Sequence, residues 1–155
     1  MSDSAAVSNF HIRNLTRRAI PGVAFGVIKN YVLGTEYELS LTFAGDRRIR
    51  RWNRVYRQKD KTTNILSFPL SKTEGEIFIN LRLVKDTWTA LMLFIHGLHH
   101  LKGMEHGTLM ERNEDAVRTH FELKYKIFEH GTKTSNRNRR RDLRSTRGRV
   151  RVRER

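Results

Sequence analysis

Residues 87 to 106 read TWTALMLFIHGLHHLKGMEH. Leu91, Leu93, Phe94, Ile95 and Leu98 are spread around the whole circumference of a helix. That pattern belongs to a helix covered on all sides, not to a surface helix with a single apolar stripe. Gly103 stands where such a helix would end in a left-handed cap, because glycine adopts positive φ without steric cost. A helix of this kind cannot be stable alone, so the rest of the chain must supply elements that cover it. The same stretch holds four of the chain's seven histidines, His96, His99, His100 and His106.

The covering elements are legible on either side. PGVAFGVIKNYVLG, Pro21 to Gly34, carries the Pro-in, Gly-out signature of a helix. YELSLTF, Tyr37 to Phe43, alternates apolar and polar residues and predicts a half-buried strand. Asp46 is the expected N-cap of a helix RRIRRWNRVYR, with Ile49, Trp52 and Val55 toward the core. NILSF (64–68) and EIFIN (76–80) predict two short strands joined by a turn containing Pro and Gly. Thr108 and Glu111 have the spacing of a capping box, opening a last helix with Val117, Phe121, Tyr125 and Phe128 on one stripe. Trp52 and Trp88 read as core aromatics. Residues 1 to about 20 show no clear periodicity, and no internal repeat is present. The expected fold class is α+β: a small mixed β-sheet packed against helices, with the histidine-bearing helix at its centre.

The chain has 155 residues, enough for one domain. It carries 31 Lys and Arg against 16 Asp and Glu, for a formal net charge of +15, but the excess is uneven. From Lys133 to Arg155 there are eleven basic residues against two acidic ones. The expected division is a folded domain over residues 1–132 and a disordered, Arg-rich tail over 133–155. The absence of cysteine removes disulfides and thiolate ligands and fits a reducing compartment. The longest apolar run, Ala90 to Ile95, is too short to span a membrane. The amino-terminal segment lacks the apolar core of a secretion signal. A cytoplasmic protein with a polyanionic partner is the expectation.

The histidine spacing carries chemistry. Residues four apart share a helix face, so His96 and His100 can aim two nitrogens at one centre. Gly103 then lets the chain turn back and bring His106 to the same place. This spacing matches the HExxHxxGxxH zinc motif of metzincin peptidases. Three imidazoles and an open coordination position suit a catalytic zinc, which lowers the pKa of a bound water to about 7. The metzincin general base follows the first His directly, and here that position is Gly97, which disfavours peptide hydrolysis. His99 leans to the helix flank and is expected beside the site or in solvent. Glu105 reads either as a group orienting an imidazole or a bound water, or as an ordinary exposed carboxylate.

HGLHHLKGMEH resembles the H-G-x-L-H-L-x-G-Y-D-H motif of the YbeY family of bacterial endoribonucleases, with matches at His96, Gly97, His100, Leu101, Gly103 and His106. NRVYRQKDKTTNILSFP, Asn53 to Pro69, resembles a second family signature, and GEIFI, Gly75 to Ile79, a third. The resemblance runs from about Tyr37 to Phe128. It departs from the family pattern at His99, at Met104-Glu105, and at Thr63-Asn64. It implies that His96, His100 and His106 ligate one Zn2+ ion, and that Arg57 is a functional arginine facing the metal cleft. Arg57 also makes sense independently, because a guanidinium offers a permanently charged fork of donors to phosphate.

The implied activity is a zinc-dependent endoribonuclease acting on single-stranded RNA in ribosomal RNA maturation and ribosome quality control. The expected partner is RNA, ribosomal RNA or the small ribosomal subunit. Arg57, Lys61 and the tail residues Arg139, Arg140 and Arg141 are the candidate RNA contacts, since such basic groups bind phosphates by counterion release. The competing reading is a non-catalytic ribosome- or RNA-binding assembly factor with a structural metal site.

Overall fold

A computed structural model describes residues 9–125 of the chain. Its elements follow in the order β1 (Phe10–Asn14), α1 (Phe25–Leu33), β2 (Glu38–Ala44), α2 (Asp46–Arg57), β3 (Ile65–Pro69), β4 (Glu74–Asn80), a 3-10 turn (Leu81–Leu83), α3 (Thr87–Leu101) and α4 (Thr108–Tyr125). The four strands form one mixed sheet in the order β1-β2-β4-β3. β1 and β4 flank β2 in parallel, while β3 pairs antiparallel with β4 and forms one edge. The architecture is α+β with the histidine cluster on a helix, as the sequence predicts.

Alternation divides the helices between the two faces of the sheet. Leu39, Leu41 and Phe43 of β2, with Ile65 of β3 and Ile77 and Ile79 of β4, point to one face. There they meet Phe25 and Ile28 of α1, Leu91, Phe94, Ile95 and Leu98 of α3, and Val117 and Phe121 of α4. Phe25 sits at the junction, edge-on to Phe94 at 5.0 Å and tilted against Phe43 at 5.6 Å. The other face is thinner: Ile49 and Trp52 of α2 cover Ala44, Leu66, Phe68 and Phe78. α3 is thus the central helix, buried at nearly every position from Ala90 to Leu101. Its start is fixed by Asp86, whose carboxylate accepts from Thr89 N at 2.7 Å, a cap contributing about 1 kcal/mol.

Several local expectations are corrected. β1 lies in a segment without sequence periodicity, since most of its residues are exposed and it is held by backbone pairing with β2. α1 begins at Phe25, not Pro21, because the intervening residues are used in tight turns: Val23 N–H donates to Pro21 O, and Phe25 N–H to Val23 O. The N-cap of α2 is Gly45; Asp46 lies inside the helix. Its carboxylate instead accepts from Asn80 Nδ2 at 2.6 Å and Thr62 Oγ1 at 3.2 Å, and pairs with Arg82. Val55 is exposed, because it lies off the stripe of Ile49, Trp52 and Tyr56 that α2 turns toward the sheet. Gly107, not Thr108, caps α4 through its carbonyl, which accepts from Glu111 N–H. Gly75 lies in β4, so the β3–β4 turn has no glycine. Trp52 and Trp88 are half-buried. Phe128 and residues 133–155, with Arg139, Arg140 and Arg141, lie outside the described residues.

Candidate metal centre

Gly103 terminates α3 as the spacing requires. With φ at 86°, it lets Met104 N–H donate to His99 O and Gly103 N–H donate to His100 O. These two bonds together make a Schellman motif, which reverses the chain. His106 is carried back over the face that holds His96 and His100. One nitrogen from each of the three rings then lies within 4.8 Å of the others.

The hydrogen bonds of two of these rings decide what they can do. His96 Nδ1 is 2.6 Å from Glu114 Oε1, and His100 Nδ1 is 3.1 Å from Met104 O. A carbonyl oxygen only accepts, as does an ionised carboxylate, so each Nδ1 carries the proton. In the neutral rings each Nε2 therefore presents a lone pair. Those two Nε2 atoms face each other at 3.0 Å. At that distance the two nitrogens can hold one proton or one cation between them: a shared proton if one ring is protonated, a bound cation if both are neutral. Burial, first, and then the neighbouring His96 and His106 push the pKa of His100 down to about 4. His100 is accordingly neutral at ordinary pH. A zinc ion with nitrogen ligands at about 2.0–2.1 Å separates adjacent donors by little more than this contact, so the residues fit the ion.

Glu114 was not singled out from the sequence, although a signal existed. It lies on the stripe Met110, Glu114, Val117, Phe121, a carboxylate among residues that are otherwise core, and it is 1% exposed. A buried acid requires a partner, and its partner is His96. The pair fixes the tautomer and the ring orientation that aim Nε2 at the centre. Replacing Glu114 by Gln should weaken zinc binding toward the lower end of the ten- to hundredfold range typical of such partners, since the amide oxygen can still accept. Competition against a chromophoric chelator reads this directly, and unchanged affinity would reduce Glu114 to a satisfied core group.

The other histidine-region residues fall elsewhere. His99 is 3% exposed and its Nδ1 donates to Ile95 O at 2.8 Å, so it faces the core, not solvent. Glu105 is exposed, and the carboxylate on His96 belongs to Glu114. Lys61 is exposed at the surface of the loop after α2. Gly97 has a packing reason. A Cβ there would lie 2.9 Å from Ile65 Cδ1 and 3.0 Å from Ile77 Cδ1 and Ser67 Oγ. Position 97 opens into the contact between α3 and the sheet, so there is no room for the carboxylate base that the peptidase motif places there.

Ser67 also connects the cluster to Arg57. The Arg57 guanidinium donates to Ser67 O at 3.0 Å and lies over the Phe68 ring, 5.2 Å from its centroid. Arg57 therefore reaches the main chain of the edge strand β3 from the α2 side, while the Ile65 and Ser67 side chains of that strand meet Gly97 of α3. Its placement depends on the chain reversal that follows: Gln58 is left-handed at φ 55° and ψ 35°. That conformation is costly for a side-chain-bearing residue. It is held by Lys59 N–H on Asn53 O and by Asn53 Nδ2 on Lys61 O. Burial lowers the pKa of Arg57 from its usual value, yet a guanidinium remains charged.

The chain has recognisable relatives among known proteins. A family model described as Endoribonuclease YbeY matches residues 2–127. The chain is similar to the protein named Endoribonuclease YbeY of Sulfurihydrogenibium sp., with 29% identity over 133 residues, covering 76% of this chain and 84% of that one. It is also similar to that of Persephonella marina, with 28% identity over 134 residues and the same two shares, 76% and 84%. The counterpart of Nitratiruptor sp. reaches 38% identity over 85 residues, 46% of this chain and 59% of its own length. Among the described residues, no helix is long and apolar enough to cross a membrane.

Proposed function

This chain belongs to the Endoribonuclease YbeY family, and from that membership we propose that it is a zinc-dependent endoribonuclease. It acts on single-stranded RNA in ribosomal RNA maturation and ribosome quality control, in the cytoplasm. The observation that carries the metal assignment is the convergence of His96, His100 and His106, one nitrogen of each lying within 4.8 Å of the others. Three imidazoles with no carboxylate or thiolate among the candidate ligands favour zinc over magnesium or calcium, which take oxygen donors.

When bound, zinc supplies Lewis acidity toward a phosphoryl oxygen and toward water. The chain's own residues set the rest. Glu114 and Met104 O accept from Nδ1–H of His96 and His100 and so leave each Nε2 to face the centre. Arg57 presents charged donors to a phosphate arriving at the β3 edge and opposes the charge that spreads over its oxygens during reaction. Gly97 offers no base, so proton transfer does not rest on that position. The basic segment 133–155 binds RNA through its phosphates, with Arg139, Arg140 and Arg141 taking part, and Lys61 contributes near Arg57.

Two measurements test this reading. Purified protein should cleave a single-stranded RNA, lose that activity on chelation and recover it with one equivalent of zinc; cleavage that survives complete metal removal would overturn the reading. Deleting residues 133–155 should weaken RNA association and flatten its dependence on salt, the slope of log affinity falling by about 0.7 for each phosphate that the tail no longer neutralises. Equal affinity and slope in the truncated chain would exclude the tail from binding.

A further inference from the structure

We propose that Tyr56, at the carboxyl-terminal end of α2, is a stacking platform for an unpaired base of single-stranded RNA whose phosphate meets Arg57; this rests on the RNA-cleaving function proposed above.

Tyr56 is the large aromatic at the carboxyl-terminal end of α2, and it is 63% exposed. Its ring packs at a tilt of 60° against Phe68, centroid to centroid at 5.6 Å, which leaves most of its surface to solvent. Phe68 in turn carries the Arg57 guanidinium. A nucleotide whose phosphate meets Arg57 therefore has an aromatic surface one residue away on which its base can stack. Stacking on such a ring tolerates any base but requires that the base be unpaired.

The test measures binding of a short fluorescent single-stranded RNA of mixed sequence by the full chain carrying His100→Ala, so that the probe is not consumed. Tyr56→Ala should weaken binding about tenfold, as loss of one stacked base does. Tyr56→Phe should bind as the parent does, and a duplex RNA probe should be indifferent to both changes. The tail is common to all variants, so differences belong to position 56. Should Tyr56→Ala fail to fold, Tyr56→Leu, which keeps an apolar group against Phe68 but offers no ring, should weaken binding as much and decides in its place. Unchanged affinity in Tyr56→Ala overturns the proposal, as does equal weakening by Tyr56→Phe or equal loss with duplex. Tyr56-dependent binding by a protein that never cleaves RNA would leave the platform standing and sink the nuclease reading. Cleavage with no effect of any Tyr56 variant would do the reverse.

Discussion

Replacing His100 by Ala is expected to reduce both zinc retention and RNA cleavage to the level of the metal-free protein. The ring gives one of three nitrogens to the proposed centre, and with the imidazole gone His96 and His106 alone cannot hold the ion in a closed triangle. The fold should survive. Ala is the best helix former, and the lost bond from Nδ1–H to Met104 O is worth about 1 kcal/mol. The Schellman bonds that reverse the chain are made by backbone atoms and remain. Metal analysis and a cleavage assay on the same preparation read the two effects together. Full cleavage in the variant would place the activity elsewhere.

The second large effect is expected at Arg57. Arg57→Lys keeps the charge but loses the planar fork, including the donor to Ser67 O and the stacking over Phe68. Loss of one aimed donor to a developing anion commonly costs about a hundred- to a thousandfold in turnover, and cleavage per folded molecule should fall into that range with zinc content unchanged. If Arg57 only ties down the edge of β3, the outcome differs: the melting temperature drops while the rate of the folded fraction stays at the parent value. Measuring rate, zinc content and melting together separates the two roles.

The parts of the fold legible in the sequence were those where periodicity and burial coincide. α3 announced itself because Leu91, Phe94, Ile95 and Leu98 leave no polar face, and β2 because Leu39, Leu41 and Phe43 alternate against Glu38 and Ser40. β1 was invisible for the opposite reason. Its residues from His11 to Asn14 are exposed, and its order comes from main-chain bonds to β2 that leave no trace in side-chain pattern. Pro21 carried a helix-start signal that the chain uses for turns, since local signals record where a helix could begin and tertiary packing decides where it does.

At the candidate site, spacing alone brought three histidines forward, because helix geometry and one glycine determine where they go. Glu114 escaped because its partner is 18 residues away, and no local spacing rule links α3 to α4. Its place on the apolar stripe with Met110, Val117 and Phe121 was the available clue. His99 was misplaced at the helix flank because a histidine beside other histidines reads as part of their chemistry. Its ring instead satisfies itself on Ile95 O inside the core. The reason for Gly97 likewise needed the sheet beneath it, where Ile65, Ile77 and Ser67 occupy the space a side chain would take.

The most direct measurement is X-ray absorption at the zinc edge on full-length protein loaded with one equivalent of the metal. A first shell of three imidazole nitrogens at about 2.0–2.1 Å, completed by a light atom from solvent, is the expected spectrum. Fewer than three imidazoles, a fourth ligand contributed by the chain, or failure to retain the ion would contradict an open three-histidine centre.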